Sequence, residues 1–265
     1  MAHWLQPAFF DTGSPCKRAK NGNLALFTTT MMKDMTMRFP RFLRSLLRPV
    51  LAATFLLAAS GGAMAADTGF TTLATPQRSD TGKKVEVVEF FMYSCPHCNV
   101  LDPLMHDWVK KQGDKIAFRR VHLAFSGPKD PQAHAYATLE TMGVLEQYHD
   151  KIFRAIHVER NRLMTDGAIL DLLVKNGIDK AKYLEMFNSF GVQTKLKRNE
   201  QLITASKIDS APTIIIDGRF VTSPAQLSRP GQSERQTQEA TLRVMDELVA
   251  RTLKERGGAP APAKK

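Results

Sequence analysis

The chain has 265 residues, with 37 Lys+Arg against 26 Asp+Glu and a formal net charge of +11. That excess is concentrated near the start: beyond residue 65 it falls to +5, and no Lys/Arg cluster with interleaved aromatics points to nucleic acid. Cys16 lies in the same leading stretch, so the remainder holds one close pair, Cys95 and Cys98, which excludes a disulfide-scaffold protein.

Taken in order, residues 1–36 are polar and without periodicity, and precede Met31, Met32, Met35 and Met37 as a cluster of candidate starts. They read as an upstream extension, with translation beginning between positions 31 and 37. Residues 37–65 read as an export signal. Arg38, Arg41, Arg44 and Arg48 form a basic region, residues 50–59 a short apolar core, and Ala63-Met64-Ala65 a small-residue cleavage site before Ala66. A core of that length is too short for a bilayer span, which needs about 20 residues.

Residues 85–93 form an apolar run that reads as a buried strand, and Cys95-Pro96-His97-Cys98 follows directly. Val100, Leu101, Leu104, Met105, Trp108 and Val109 then fall on one helical stripe. A second strand is expected over 116–123, followed by helices over 132–142 and 145–157. Asp166 reads as the N-cap of a helix ending near Asn176-Gly177, Asp179 as the cap of one running to about Phe190, and a fifth helix spans 192–207. Ser210-Ala211-Pro212-Thr213 opens a strand over 213–217, and the Asp217-Gly218 turn leads into its hairpin partner at 219–222. The last helix, over 234–255, carries Leu242, Met245, Leu248, Val249 and Leu253, and residues 257–265 read as a disordered tail. The order β-α-β, helices, β-β-α predicts a two-part α/β domain: a first part over 66–127, a helical insertion over 128–191 and a second part over 192–256.

A C-x-x-C has several chemical readings. As a staple it would close a loop of only four residues and contribute about 2 kcal/mol, less than longer loops gain. As half of a zinc site it lacks a second cysteine pair, and His106, His122, His134, His149 and His157 are scattered without ligand spacing. Thiol–disulfide exchange fits best. Strand, turn and helix put Cys95 at a helix N-terminus, where free N–H groups and the helix dipole favour a thiolate. Cys98 sits one turn in and is shielded, and Pro96 suits the first helical position. His97 offers a cation or an N–H donor beside the Cys95 sulfur; its other reading is a solvated surface side chain. A thiolate of low pKa stabilises the reduced pair, by ~1.4 kcal/mol or about 30 mV per pKa unit below ambient pH. Pro212 at a strand entrance has an ordinary reading as an edge device.

Glu89-Phe90-Phe91 leading into Cys95-Pro96-His97-Cys98, with Ala211-Pro212-Thr213, the helical insertion and the Asp217-Gly218 hairpin, resembles the DsbA family of exported thiol:disulfide oxidoreductases. The resemblance covers roughly residues 70–255 and implies a thioredoxin fold with an inserted helical domain. It implies that Cys95 is the nucleophile and Cys98 the resolving thiol. It also implies a cis-proline at Pro212, with Ala211 and Thr213 beside it pairing with an extended substrate. Glu89 matches the family's buried acid beneath the active site, able to exchange a proton with Cys98; its other reading is a strand carboxylate paired with a base such as Arg120. Ala211 departs from the Val or Thr usual before that proline, and removes a branched side chain beside the sulfurs.

The resulting expectation is a monomeric periplasmic dithiol oxidase with no cofactor beyond its redox-active disulfide and no metal. It would donate the Cys95–Cys98 disulfide to reduced, unfolded secreted proteins and be reoxidised by a quinone-linked membrane partner of the DsbB type. The rivals are an isomerase or reductase of the same fold, for which residues 66–84 are too short a dimerisation segment, and a chaperone-like peptide-binding module.

Overall fold

The computed structural model of the chain describes residues 68–127 and 129–258. The expected upstream extension, export signal and Cys16 lie outside the described residues, as does the tail beyond Gly258.

Among the described residues five strands form one sheet in the order β1-β5-β4-β2-β3. β2 (Val85–Phe91) and β3 (Ile116–His122) are parallel, joined by α1 (Pro96–Gln112) and a single 3-10 turn. β4 (Thr213–Ile216) lies antiparallel on the other side of β2, and β5 (Phe220–Thr222) pairs antiparallel with β4. α2 (Pro131–Thr141), α3 (Leu145–His157), α4 (Asp166–Lys175), α5 (Lys180–Phe187) and α6 (Phe190–Ser206) run between β3 and β4. A short α7 (Pro224–Leu227) and the long α8 (Glu234–Gly258) follow β5. The arrangement is a thioredoxin fold with a helical insertion.

β2 is central, and six of its seven residues are buried. A strand covered on both faces reads as a continuous apolar run, and Val-Glu-Val-Val-Glu-Phe-Phe is nearly that. Its side chains divide three ways. Val85 and Val87 join Leu101, Met105, Ile214 and Leu248 in a core between the sheet, α1 and α8. Val88 and Phe90 face Val121 and Ile215 on the opposite side. Phe91 joins Tyr136, Leu139, Ile152 and Phe153 in the core of the helical insertion. Glu89 points to the same face as Val87 and Phe91, so a carboxylate stands at the seam between two apolar cores.

Several boundaries differ from expectation for local reasons. β1 (Phe70–Thr72) was not foreseen: three residues, two of them exposed, carry no alternation. It borders the sheet by pairing with β5. Thr165, not Asp166, caps α4, its hydroxyl accepting from Ala168 N–H at 3.2 Å while Asp166 takes the first helical position. α5 stops at Phe187 because the Asn188 side-chain amide donates to the Leu184 carbonyl, and Ser189 then caps α6, which starts at Phe190 and not at 192. α8 continues through Gly257 and Gly258, into the stretch expected to be tail. On the α1 stripe Leu101, Met105 and Trp108 are buried, but Val100 faces solvent and Asp102 is buried in its stead.

Candidate active site

The turn from β2 into α1 makes Cys95 the helix N-cap, with Pro96 in the first turn and Cys98 three residues on. The Cys98 N–H donates to Cys95 Sγ at 3.4 Å. A sulfur therefore fills a position where helices ordinarily place a hydroxyl or carboxylate oxygen. From the far side the Cys95 thiol donates to the Ala211 carbonyl at 3.4 Å, and the Ala211–Pro212 peptide is cis. Thr213 follows as the first residue of β4, its hydroxyl donating to the Ser210 carbonyl at 2.8 Å. Both cysteines are free thiols, Cys95 6% and Cys98 1% exposed.

The two thiols are chemically unequal. Hydrogen bonding from the Cys98 side chain, helped by the Cys98 and His97 backbone N–H groups and the His97 charge, outweighs burial and lowers Cys95 to about 6. Cys98 is pushed far above the ordinary thiol range by its bond to Cys95, by burial, and by the charges of Cys95 and Glu89. One sulfur is thus poised as a thiolate at neutral pH while the other keeps its proton. His97 is exposed, and its Nδ1 lies 2.6 Å from Glu234 Oε1 at the start of α8. A carboxylate only accepts, so Nδ1 carries the proton. The Glu234 bond, with the charges of Glu234 and Cys95, raises the His97 pKa against burial. Beside His97 and Pro212 opens a cavity of about 350 Å3 whose lining includes Ser210, Gln232, Thr237 and Gln238.

Beneath the thiols lies a buried polar network. Arg120 Nε donates to Glu89 at 2.9 Å, and Arg120 Nη2 donates to Asp102 at the same distance. His149 Nε2 contacts Asp102 at 3.0 Å, and His149 Nδ1 contacts the Tyr93 hydroxyl at 2.9 Å. Burial raises the Glu89 carboxyl, only partly offset by Arg120. Asp102 goes down, because the His149 bond and the charges of His149 and Arg120 together exceed the burial that opposes them.

Tyr93 lies past the end of β2, so its backbone has no ladder partner. Histidines supply them: the Tyr93 N–H donates to His122 Nε2 at 3.1 Å, and His157 Nε2–H donates to the Tyr93 carbonyl at 2.8 Å. Three of the histidines that look scattered in sequence therefore converge on the residue two before Cys95. Among the described residues no group of three or more His, Cys, Asp or Glu side chains is placed to hold a metal ion.

Comparison with known proteins agrees with this geometry. A family model described as a DSBA-like thioredoxin domain matches residues 129–229, which include the helical insertion and Pro212. The thiol:disulfide interchange protein DsbA of Burkholderia cepacia is 37% identical over 211 residues, spanning 79% of this chain and 95% of that protein. The chain belongs to the DsbA family. The relative of the same name from Bordetella parapertussis is 35% identical over 218 residues, 82% of this chain and all of that protein. The crystal structure of Pseudomonas aeruginosa DsbA superposes with a TM-score of 0.60 at 29% identity, covering 69% of this chain and 94% of that one.

Within this DsbA-family chain, Cys95, Pro96, His97, Cys98, Ala211, Pro212 and Thr213 come together at one end of the sheet, and Glu89 lies below them. Glu89 is paired with Arg120, as one of its two sequence readings had it. His97 is exposed yet not merely solvated, since it is held by α8. Sequence reasoning missed Tyr93, Asp102, His149, Glu234 and Gln238. Asp102 in an otherwise apolar helical stripe was the one available signal; Glu234, 137 positions from its partner, gave none.

Proposed function

We propose that this thiol:disulfide oxidoreductase acts as a periplasmic dithiol oxidase, with Cys95 as the exchanging sulfur. The observation that carries the reading is the opposed tuning of the pair. An acidified, hydrogen-bonded Cys95 stabilises the reduced state, so the Cys95–Cys98 disulfide is readily given away. A thiolate of a reduced, unfolded exported protein attacks Cys95 Sγ. The Cys95–Cys98 bond breaks, a mixed disulfide forms, and Cys98 leaves and takes up a proton. A second substrate thiolate then attacks the substrate sulfur of the mixed disulfide, forming the substrate disulfide and releasing Cys95 as thiolate. Two electrons pass from substrate to protein, and a quinone-linked membrane reoxidase of the DsbB type removes them.

Glu89, with a raised pKa and a charge felt at Cys98, is the group we assign to proton exchange with Cys98. Ala211, Pro212 and Thr213 are assigned to holding the extended substrate, because the Ala211 carbonyl already faces the exchanging sulfur.

Equilibrating the protein with a glutathione redox series tests the reading. A disulfide reduced by modest glutathione supports the oxidase; one that survives excess reduced glutathione would make the protein a reductant. Cys95→Ser should abolish exchange, and Cys98→Ser should accumulate mixed disulfides. Full oxidase turnover in either variant would overturn the assignment. Unchanged affinity for cysteine-free unfolded peptides after both replacements would favour a chaperone-like module.

A further inference from the structure

α8 enters the active site through two side chains one helical turn apart. Glu234 Oε1 accepts from His97 Nδ1–H at 2.6 Å. Gln238, fully buried, donates through Nε2 to the His97 carbonyl at 3.2 Å and lies 3.4 Å from Glu234 Oε1. Ring and backbone of His97 are therefore both anchored to α8, and the same amide that holds the backbone braces the carboxylate that holds the ring. An exposed imidazole has no need of two such anchors for packing.

We infer that Glu234 is a positioning residue for the exchange centre: it holds His97 as a fixed cation beside Cys95, so that the oxidising strength of the pair is set from α8. The inference rests on Cys95 being the exchanging thiol. The titrating groups facing His97 are Cys95 on its own turn and Glu234 on α8. The rest of the groove wall it borders, Ser210 and Pro212 ahead of β4 and Gln232, Thr237 and Gln238 around the start of α8, is neutral. The neighbouring Arg235 is engaged with Glu239 at 2.9 Å.

The sign of the effect separates this role from simple proximity. A carboxylate acting directly on a nearby thiol disfavours the thiolate, so its removal would lower the Cys95 pKa. Acting through His97 it does the reverse: without Glu234 the imidazole loses the strongest of the interactions that raise its pKa, carries its charge over a narrower pH range, and stabilises the thiolate less.

The experiment is a thiolate absorbance titration and a glutathione equilibrium on the purified reduced protein, Glu234→Gln, Glu234→Asp, His97→Gln and the double variant His97→Gln/Glu234→Gln. Glu234→Gln is expected to raise the Cys95 pKa; a rise of half a unit corresponds to about a threefold shift of the glutathione equilibrium toward the protein disulfide. Glu234→Asp, which keeps the charge but shortens the reach, should fall between the two. In the His97→Gln background the same substitution should produce no rise. A Cys95 pKa that falls or stays constant in Glu234→Gln overturns the inference, as does an equal rise without His97. Failure of the unmutated protein to exchange with glutathione would instead overturn the oxidase reading, so the two failures are distinct.

Discussion

At Cys95 two effects of opposite sign meet, and their order decides the chemistry. Hydrogen bonds to sulfur, first among them that from Cys98, outweigh burial and bring the thiol to about 6. Thiolate absorbance should therefore rise with a midpoint near pH 6, while Cys98 stays protonated through that range. Because the folded pKa is depressed, the stability it contributes to the reduced protein is complete above the unfolded thiol's value, about 8.5. That contribution is lost as pH falls through 6; denaturant titrations of the reduced protein at pH 9, 7 and 5 should show this decline. Arg120 poses the opposite case. Its guanidinium is buried and serves both Glu89 and Asp102, so Arg120→Met leaves Glu89 unpaired at the seam and Asp102 with His149 alone. Breaking a buried pair costs about 3–5 kcal/mol, against less than about 1 kcal/mol for an exposed one such as Arg78–Asp80. Urea unfolding of Arg120→Met and Arg78→Met should reproduce that contrast.

Among the elements, those with strong periodicity were legible and those set by one side chain were not. β2, α1, α3 and the β4–β5 hairpin announced themselves through apolar runs and the Asp217-Gly218 turn. Both turn residues have positive φ, and a Cβ on Gly218 would stand 2.2 Å from the Gln77 carbonyl oxygen. Gly218→Ala should accordingly lower the melting temperature by several degrees, a loss of at least about 1 kcal/mol, which calorimetry would read. Where two adjacent residues can each cap a helix, sequence does not choose between them, and at α4 the hydroxyl of Thr165 wins over Asp166. Thr165→Ala should cost about 1 kcal/mol in chemical denaturation and Asp166→Ala clearly less. The same limit applied at the site. Cys95, Cys98 and Pro212 were readable from local spacing and resemblance, whereas the histidines around Tyr93 acquire meaning only once α3 packs against α1 and the end of β2. No short-range pattern encodes that docking.

On the scale of the whole molecule, the redox state and the fold are linked. A disulfide closing four residues stabilises a chain by about 2 kcal/mol, which a thiolate depressed by more than about one and a half pKa units outweighs. Cys95 is depressed by more than that. The thiolate contributes ~1.4 kcal/mol for each unit of pH above the folded value, so the reduced protein should unfold at higher denaturant than the oxidised one at about pH 8, with that order lost as pH falls toward 7; a difference between the two states that does not change from about pH 8 to pH 6 would contradict this tuning. The seam matters at this scale too, since the polar network joins β2, β3 and α1 to α3 of the insertion. Its disruption is expected to loosen the insertion first, visible as faster amide exchange in α3 than in β2.

The Ala211 carbonyl that faces Cys95 lies 116 positions downstream of it. A chain emerging N-terminus first from the ribosome presents Cys95 and Cys98 long before that wall of the site exists. Until then the thiols have only their own helix turn, and neither the Ala211 carbonyl nor Glu234 stands beside them. The site is complete only when the final strands and helix close over the opening turn. An incomplete copy of this protein thus carries both thiols but not the wall that faces them.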